Sequence, residues 1–230
     1  MDTEQPVIPT HIGFIVDGNR RWAKGHGLPT YEGHLAGHNV LKEILPVLVD
    51  RGVKFITFYV FSTENWKRSQ DEVGRLMNLA VQVLKDDLKI IANHQARVRV
   101  LGTREGLSDK VREAIEEAEE KTKHFKRSTV AFCFNYGGQV EIAQAAQQCA
   151  NEGVEITPQT IRERLYAPDI PDIDLLVRTS GEQRLSNFML WRAAYSEFLF
   201  MDKNWPDITP ADIDTIINEY AKRQRRFGGN

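Results

Sequence analysis

The feature of this sequence that most constrains its fold is the alternation of short apolar runs with longer segments of helical pattern. Six apolar runs have the length and the β-branched or aromatic content of strands, at residues 11–16, 54–60, 96–101, 129–134, 173–177 and 197–201. Segments of helical length lie at residues 38–51, 70–94, 108–124, 139–151, 160–166 and 210–226. This order predicts an α/β fold with a largely parallel, six-stranded sheet flanked by helices. Because no linker or repeat interrupts the pattern, we predict a single domain over residues 1–230, with an N-terminal segment at 1–10 and a C-terminal arm at 222–230.

Composition and charge exclude several classes of function. With 30 Lys and Arg against 32 Asp and Glu, the net charge is −2, so no nucleic-acid partner is predicted. Apolar residues make up 41% of the chain, and no apolar run approaches the ~20 residues of a membrane span. Residues 1–10 lack the layout of a signal peptide, so we expect a cytoplasmic protein. Cys133 and Cys149 form no metal-binding spacing and are interpreted as reduced and structural.

An unusually long amphipathic helix is predicted at residues 70–94. Its apolar side chains recur every three or four positions, at Val73, Leu76, Met77, Ala80, Val83, Leu84 and Leu88. This apolar stripe requires a partner to pack against.

The carboxyl ends of the strands are where an open α/β sheet binds ligands. The first strand is followed by the string Asp17-Gly18-Asn19-Arg20-Arg21-Trp22. A strand, a turn and a helix start place free backbone N–H groups beside two arginines, which suits an anion such as diphosphate. Asp17 would repel that anion unless a divalent cation lies between them, and Mg2+ meets this requirement. A turn followed by surface arginines is the structural alternative.

Three other strand ends also carry polar residues. Residues 61–68 combine aromatic, hydroxyl, amide, acidic and basic side chains, and they are equally consistent with a capped loop before the long helix. Residues 135–138 contain two glycines that permit close approach to a ligand, although a plain strand-to-helix turn has the same composition. Arg178 and Arg184 lie six positions apart, with Ser180 between them and Ser186 two positions after Arg184. Together these side chains can form a second anion site. Two anion sites at one sheet indicate two phosphorylated substrates.

Two further features have both a structural and a functional interpretation. Residues 222–229 are basic and end in two glycines. This composition fits either a solvated, frayed helix end or an arm that closes over a bound anion. His34 and His38 are spaced like a pair of metal ligands, but no acid adjacent in the sequence supports a zinc site.

The sequence resembles the cis-prenyltransferases, the isoprenyl transferase family that includes undecaprenyl diphosphate synthase. The resemblance runs from His11 to Gly229 and rests on the ordered strings DGNRRWA, GH, FSTENWKR, NYGG, RTSGEQRLSNFMLW, AYSE and RRFGG. It implies a homodimeric, Mg2+-dependent enzyme with a hydrophobic tunnel. Such an enzyme condenses isopentenyl diphosphate onto an allylic diphosphate, here expected to be farnesyl diphosphate, with cis double bonds in the product. The expected product is undecaprenyl diphosphate, and the resemblance allows peripheral contact with the inner face of the membrane during product release.

The resemblance also assigns roles to individual residues. Asp17 is implied to be the catalytic acid, which binds Mg2+ and assists departure of the allylic diphosphate. That diphosphate would be bound by Gly18, Asn19, Arg20, Arg21, Trp22 and His34. Isopentenyl diphosphate would be bound by Phe61, Ser62, Thr63, Glu64, Trp66, Arg68, Arg178, Arg184, Leu185 and Ser186.

Further residues are assigned by the same resemblance. Asn65 occupies the position associated with proton removal, and because an amide is a poor base we interpret it as an orienting residue. Glu197 matches a second metal-associated acid that acts across the dimer. Arg226 and Gly228 belong to an arm that would close the neighbouring site.

Three positions depart from the pattern of the family. Arg20 stands where a glycine is common, Thr30 where many members carry an arginine that binds diphosphate, and Gln183 where some members carry histidine. The loss of that arginine puts the preference for the allylic substrate in question, with Arg20, Lys24 or His26 as compensating groups.

The long helix gains a functional interpretation from this resemblance. We predict that Val60, Leu76, Leu84, Val100 and Phe132 line the tunnel that holds the growing chain, with core packing as the alternative. Other functions consistent with the sequence are a short-chain or medium-chain synthase and a non-catalytic polyprenyl-binding subunit. A nucleotide-binding protein would require a glycine-rich phosphate fingerprint, which the sequence lacks.

Overall fold

The computed structural model describes residues 7–85 and 87–223. Six strands form its central sheet, and they are β1 (His11–Ile15), β2 (Phe55–Ser62), β3 (Ala96–Leu101), β4 (Ser128–Tyr136), β5 (Leu175–Arg178) and β6 (Glu197–Phe200). Their order is β3-β4-β2-β1-β5-β6, and every neighbouring pair is parallel. The predicted sheet is therefore confirmed, with strand ends that differ from the predicted ones by at most two residues.

Helices connect the strands. In the described residues they are α1 (Asn19–Gly25), α2 (Thr30–Asp50), α3 (Gln70–Lys85), α4 (Leu88–Asn93), α5 (Asp109–Thr122), α6 (Gly138–Glu152), α7 (Pro158–Arg162) and α8 (Pro210–Ala221). Two 3-10 helices, Thr63–Lys67 and Trp205–Asp207, complete the elements of these residues. Helix α2 begins eight residues earlier than the pattern predicts, because its first two turns carry glycine and histidine residues that conceal the apolar period.

The prediction of one long helix over residues 70–94 is wrong. Helix α3 ends at Lys85 and the shorter α4 begins at Leu88. Asp87 lies between them with a buried side chain that contacts His38 and Lys42 of α2. Because aspartate is a weak helix former and has polar partners outside the helix, the chain turns here.

The two faces of the sheet bury separate cores, because successive side chains of a strand point to opposite faces. Ile12 and Phe14 of β1 enter the larger core, which α2, α3, α5 and α8 cover. Ile15 enters the smaller core with Ile173 and Phe188. Cys133 and Cys149 are both buried and free, as the sequence predicts.

Strand β2 contains an irregularity beside Val60. Tyr59 pairs with Cys133 of β4, but Phe61 pairs with Phe134, so Val60 is an extra residue on β2. Ser62 then pairs with Tyr136, so an extra residue follows on β4. Strict alternation would place Val60 and Phe61 on opposite faces of the sheet. The bulge instead brings both of them to the larger core.

The strand order reverses at β1. The chain passes from β1 to β2 on one side and later returns to β5 on the other side. The loops after β1, β2 and β5 therefore meet at the carboxyl edge of the sheet, at the kind of switch point where open α/β sheets bind ligands.

Candidate active site

Asp17 lies at this switch point, two residues after β1. Its backbone is fixed by Thr179, whose Oγ1 accepts a hydrogen bond from Asp17 N at 3.0 Å and donates one to Asp17 O at 2.6 Å. Its Oδ1 accepts from Gly18 N at 2.7 Å, and its Oδ2 lies 2.9 Å from Arg178 Nη2 and 3.2 Å from Arg21 Nη2. Burial raises the pKa of Asp17, but the hydrogen bond and charge of Arg178 outweigh it and hold that pKa below its ordinary value. The carboxylate is thus ionised at neutral pH.

Arg178 joins the first and last of the predicted strand-end clusters. It is the final residue of β5 and is only 4% exposed. Its Nη1 donates to the carbonyl of Arg184 and, at 2.9 Å, to Ser186 Oγ, while its Nη2 reaches Asp17. Within the described part of the chain, its buried Nε has no hydrogen-bond partner. One buried guanidinium therefore connects the two anion sites that the sequence predicts separately.

Glu182 joins two of the predicted arginines beside the cleft, a contact that sequence reasoning missed. Its Oε1 lies 3.1 Å from Arg21 Nη1, and its Oε2 accepts a hydrogen bond from Arg184 Nη1. The hydrogen bond from Arg184 holds the pKa of Glu182 below its ordinary value. The sequence around Glu182 does not indicate these contacts, because they join residues that follow two different strands.

Two glycines of α2 hold the loop that follows β1. A Cβ at Gly33 would lie 2.0 Å from Asn19 O, and one at Gly37 would lie 2.4 Å from Asn19 Oδ1. Their spacing of four residues places both on one face of α2, so α1 approaches α2 without side chains between them. Gly37 O also accepts a hydrogen bond from Trp205 Nε1 at 2.8 Å. Sequence reasoning identified the motif that contains Gly33 but missed Gly37. The four-residue spacing of the two glycines could have indicated that both lie on one face of a helix.

The loop after β2 is fixed by its own side chains. Ser62 and Asn65 form a capping box, in which Asn65 Oδ1 accepts from Ser62 N at 3.1 Å. Trp66 Nε1 donates to Asn135 Oδ1 at 2.7 Å, and the indole packs edge-on against Phe61. The carbonyl oxygen of the Asn65 amide is thus engaged in fixing the loop, which agrees with an orienting role.

His34 lies in the first turns of α2, between the loops of β1 and β2. Its Nε2 is 3.5 Å from Glu72 Oε1, and the same oxygen accepts from Arg68 Nη1 at 2.9 Å. Burial lowers the pKa of His34, and the nearby charge of Arg68 lowers it further, against the raising effect of Glu72. The imidazole is neutral at pH 7 and can donate or accept a hydrogen bond.

These loops surround a polar cleft that opens into an apolar cavity. The cleft has a volume of about 560 Å³, and its lining includes the predicted residues Asp17, Asn19, His34, Ser62, Glu64, Asn65, Arg68, Arg178, Arg184 and Ser186. The apolar cavity has a volume of about 100 Å³ and extends between α2, α3 and the sheet. Both linings share Val16, Asn19, His34, Val60 and Leu76, so the two spaces are continuous. All five predicted tunnel residues, Val60, Leu76, Leu84, Val100 and Phe132, line the apolar cavity together with Phe61.

Several predicted residues lie beside the cleft without lining it. Gly18 is buried against Asn204, Arg20 is exposed near His34, and Arg21 borders the cleft through Asp17. Four more are Trp22, which donates to Asp207, Thr63, which contacts Glu64, Trp66, which donates to Asn135, and Leu185, which packs on the smaller core.

Glu197 does not line the cleft. It begins β6 and pairs with Leu175, at the opposite end of the sheet from Asp17. Its carboxylate lies 3.1 Å from Arg223 Nη1. Asp17 and Glu197 of one chain therefore do not form a shared metal site. A metal site formed by Asp17 of one copy and Glu197 of a second copy stays a prediction. Arg226 and Gly228 lie outside the described residues.

Among the residues that the structure describes, no three His, Cys, Asp or Glu side chains form a metal-binding group. Asp17 is the carboxylate of the cleft that lies against the arginines, and one carboxylate together with phosphate oxygens is a donor set that Mg2+ accepts.

Among the described residues, no helix has the length and hydrophobicity that crossing a membrane requires.

Comparison with known proteins identifies the family. The family model for undecaprenyl diphosphate synthase matches residues 15–228. The chain belongs to the cis-prenyltransferase family. The resemblance seen in the motifs is confirmed.

The relatives of this cis-prenyltransferase match it along almost its whole length. Isoprenyl transferase of Thermotoga maritima is 48% identical over 227 residues, covering 96% of this chain and 97% of that protein. The ditrans,polycis-undecaprenyl-diphosphate synthase ((2E,6E)-farnesyl-diphosphate specific) of Micrococcus luteus is 43% identical, covering 96% and 92%. The crystal structure of lavandulyl diphosphate synthase from Lavandula x intermedia, in complex with dimethylallyl diphosphate, matches with a TM-score of 0.93, 33% identity and coverage of 96% and 99%. The chain is an enzyme of cis-prenyl chain elongation.

Proposed function

We propose that this enzyme condenses isopentenyl diphosphate onto farnesyl diphosphate and repeats the addition to form a polyprenyl diphosphate. The observation that carries this proposal is the continuity of an arginine-lined cleft with an apolar cavity. A substrate with a diphosphate at one end and a hydrocarbon at the other matches both spaces at once. The two groups of arginines supply one binding site for each diphosphate.

The allylic diphosphate is proposed to bind beside Asn19, Arg21 and His34. Asn19 and His34 lie where the cleft meets the cavity, and Arg21 borders the cleft through Asp17, so the hydrocarbon of this substrate can extend along Val60 and Leu76. Isopentenyl diphosphate is proposed to bind Arg178, Arg184 and Ser186, with Arg68 and Trp66 fixing the loop above it.

The reaction breaks the allylic C–O bond and forms a C–C bond with the double bond of isopentenyl diphosphate. The diphosphate leaves with the electron pair of the broken bond, and the guanidinium groups of Arg21 and Arg178 stabilise its charge. A proton is then lost from isopentenyl diphosphate to restore a double bond. Because the oxygen of Asn65 already accepts the Ser62 N–H, Asn65 orients the reacting loop, and the released diphosphate or water accepts the proton.

Asp17 is the residue proposed to hold Mg2+. Its low pKa keeps the carboxylate ionised, and its position against two arginines places it beside a bound diphosphate. When bound, Mg2+ would neutralise charge on the departing diphosphate.

The product is proposed to be undecaprenyl diphosphate, the product named for the Micrococcus relative. A shorter chain is the second candidate, and the size of the apolar cavity favours it. That cavity has a volume of about 100 Å³, whereas a cavity of about 150 Å³ is known to hold one benzene. A long product therefore requires the walls of the cavity to move.

A homodimer is proposed, with Glu197 of one copy acting at the site of the other. Support comes from β6, an edge strand whose four residues are all partly exposed, with Phe198 and Phe200 stacked at 6.0 Å. We further propose a cytoplasmic enzyme that touches the membrane peripherally when it releases its product.

The test is an incubation of the purified protein with Mg2+, farnesyl diphosphate and labelled isopentenyl diphosphate, with products resolved by chain length. Asp17→Ala is assayed in parallel, with Asp214→Ala as the matched control, because Asp214 forms an exposed pair with Arg51. We expect a ladder of cis products from the wild type and from the control, and none from Asp17→Ala. The absence of any product with farnesyl, geranyl or dimethylallyl diphosphate would refute the proposed reaction and favour a polyprenyl-binding subunit.

A further inference from the structure

One asparagine, Asn187, connects three of the loops at the carboxyl edge of the sheet. It follows Ser186 in the loop after β5 and lines the polar cleft. Its Nδ2 donates to Glu64 Oε1 at 3.0 Å, in the loop after β2. Its Oδ1 accepts from Gln139 N at 2.8 Å, and its backbone carbonyl accepts from Gly138 N at 2.7 Å, both at the start of α6. Both polar atoms of this side chain therefore join one loop to another.

The contact with α6 makes Asn187 a rigid anchor. The first N–H groups of a helix lack partners within the helix. Gly137, the residue before α6, has no side chain that could accept from them, and Asn187 accepts from Gly138 N and Gln139 N instead. A Cβ at Gly137 would lie 2.8 Å from Asn187 Nδ2, and one at Gly138 would lie 3.0 Å from Asn187 O. The paired glycines after β4 thus permit the close approach of another loop.

The backbone at Ser186 and Asn187 is held in an unusual conformation. Their φ angles are +47° and +66°, in the left-handed region that residues other than glycine seldom adopt. Two such residues in succession persist only where the surrounding contacts fix them. Tyr59 Oη donates to Ser186 O at 3.3 Å, and Asn187 is bonded to α6. This conformation brings Ser186 Oγ within 2.9 Å of Arg178 Nη1, which donates to it.

The contact with Glu64 links this anchor to the loop after β2. Burial raises the pKa of Glu64, but its hydrogen bonds, above all the one from Asn187, outweigh burial and hold that pKa below its ordinary value. Asn187 therefore donates to an ionised carboxylate, and such bonds are stronger than those between neutral groups. Because Glu64 directly precedes Asn65, the bond fixes the loop of the orienting amide relative to Ser186.

We propose that Asn187 is a positioning residue for isopentenyl diphosphate. This inference rests on the proposed function, which places the diphosphate of that substrate at Arg178, Arg184 and Ser186, below the loop of Asn65. Asn187 holds these two walls of the cleft at a fixed separation, so the substrate enters a site that is already formed. The allylic site lies on the loop after β1 and on α2, and its geometry does not depend on Asn187.

The test measures binding by titration calorimetry, with non-reactive farnesyl thiodiphosphate filling the allylic site before isopentenyl diphosphate is added. Asn187→Gly removes the side chain and keeps a residue that adopts a left-handed backbone freely. We expect its Kd for isopentenyl diphosphate to rise about tenfold, the effect of one hydrogen bond of ordinary strength. Its Kd for the farnesyl analogue should equal that of the wild type. In the condensation assay, the KM for isopentenyl diphosphate should rise in parallel.

The matched control is Gln95→Gly. Gln95 has a φ of +53° in an exposed turn before β3 and does not line the cleft. The same replacement of a left-handed residue by glycine should therefore leave both Kd values unchanged.

An exchange of donor and acceptor tests the contact with Glu64 itself. Asn187→Asp keeps an acceptor for Gln139 N but places a second carboxylate against Glu64, so it should weaken isopentenyl diphosphate binding at least as much as Asn187→Gly. Adding Glu64→Gln returns an amide donor to the pair from the other loop, and the double variant should recover most of the lost affinity. This pair of variants also carries the test if Asn187→Gly does not fold.

Three results would overturn the proposal. The first is wild-type affinity for isopentenyl diphosphate in both single variants of Asn187. The second is an equal loss of affinity for both substrates, which would show a general disturbance of the cleft. The third is a double variant that binds no better than Asn187→Asp, which would show that the loops are not held through Glu64. Binding of isopentenyl diphosphate that depends on Asn187, without condensation by the wild type, would refute only the proposed reaction.

Discussion

The pair of Asp17 and Arg178 provides the sharpest test of how this site is held together. An active-site acid often destabilises the fold that contains it, but Asp17 is surrounded by cations and N–H donors. In Asp17→Asn, the amide oxygen can still accept the Gly18 N–H. Arg178 Nη2 loses its carboxylate partner, while Nη1 keeps Arg184 O and Ser186 Oγ. We therefore expect Asp17→Asn to destabilise the protein.

The magnitude follows from the burial of the two groups. A hydrogen bond to a charged group contributes roughly 1.5–3 kcal/mol, and breaking a fully buried ion pair costs about 3–5 kcal/mol. The side chain of Arg178 is 4% exposed but that of Asp17 is 29% exposed, so water compensates in part. We expect a loss of about 2 kcal/mol in the free energy of unfolding, or a fall in Tm of roughly 4–8 °C for a chain of this size.

The assay is urea unfolding of wild type, Asp17→Asn, Arg178→Met and the double variant. The cycle isolates the pairwise energy, which we expect to be about 1–2 kcal/mol. Asp214→Asn is the control, because its pair with Arg51 is about half exposed on both sides and should contribute less than about 1 kcal/mol. Equal losses for Asp17→Asn and Asp214→Asn, or additivity in the cycle, would refute the idea that Asp17 balances the charge of Arg178.

Three further predictions follow from the structure. Val60→Leu adds a methylene to the apolar cavity and should shorten the product, as measured by chain-length analysis; unchanged length would argue against this wall. His11 is fully buried as the neutral imidazole, and burial lowers its pKa from 6.5 to about 4. Its contribution to stability is complete above pH 6.5 and is lost as the pH falls toward 4, so the free energy of unfolding should drop by about 2 kcal/mol between pH 7 and 5. His11→Gln should lack this drop, and an equal slope in the variant would contradict the assignment. Gly33→Ala should abolish most activity because its Cβ would lie 2.0 Å from Asn19 O, whereas Gly25→Ala, which meets no atom within 4 Å, should retain activity. Full activity of Gly33→Ala would show that the loop after β1 can move freely.

Much of the fold could be predicted because its elements have strong local signals. The strands are short apolar runs, and all of them lie within two residues of their predicted ends. The site could be predicted in outline because parallel strands place their following loops at one edge. Asp17 and Arg178, 161 positions apart in the sequence, meet there for this reason.

What could not be predicted depends on contacts between distant segments. The turn between α3 and α4 is stabilised by the contact of Asp87 with α2, and helical periodicity carries no information about that partner. The bridge from Glu182 to two arginines depends on how two loops fold toward each other. The resemblance assigns Trp22 to substrate binding, and the motif carries no information about the hydrogen bond from its indole to Asp207.

The irregularity beside Val60 restricts how sequences of this kind can change in length. Tyr59 pairs with Cys133 before the irregularity, and Ser62 pairs with Tyr136 after it. The two residues of a pair are therefore equally far apart in the sequence on both sides of the irregularity. The extra residue on β2 and the extra residue on β4 thus compensate each other. Deleting either one alone would shift every later pair and turn the Ser62–Asn65 loop to the wrong face. Deleting both would restore the pairing but remove the bend. Natural gain or loss of residues here should therefore occur in both strands together.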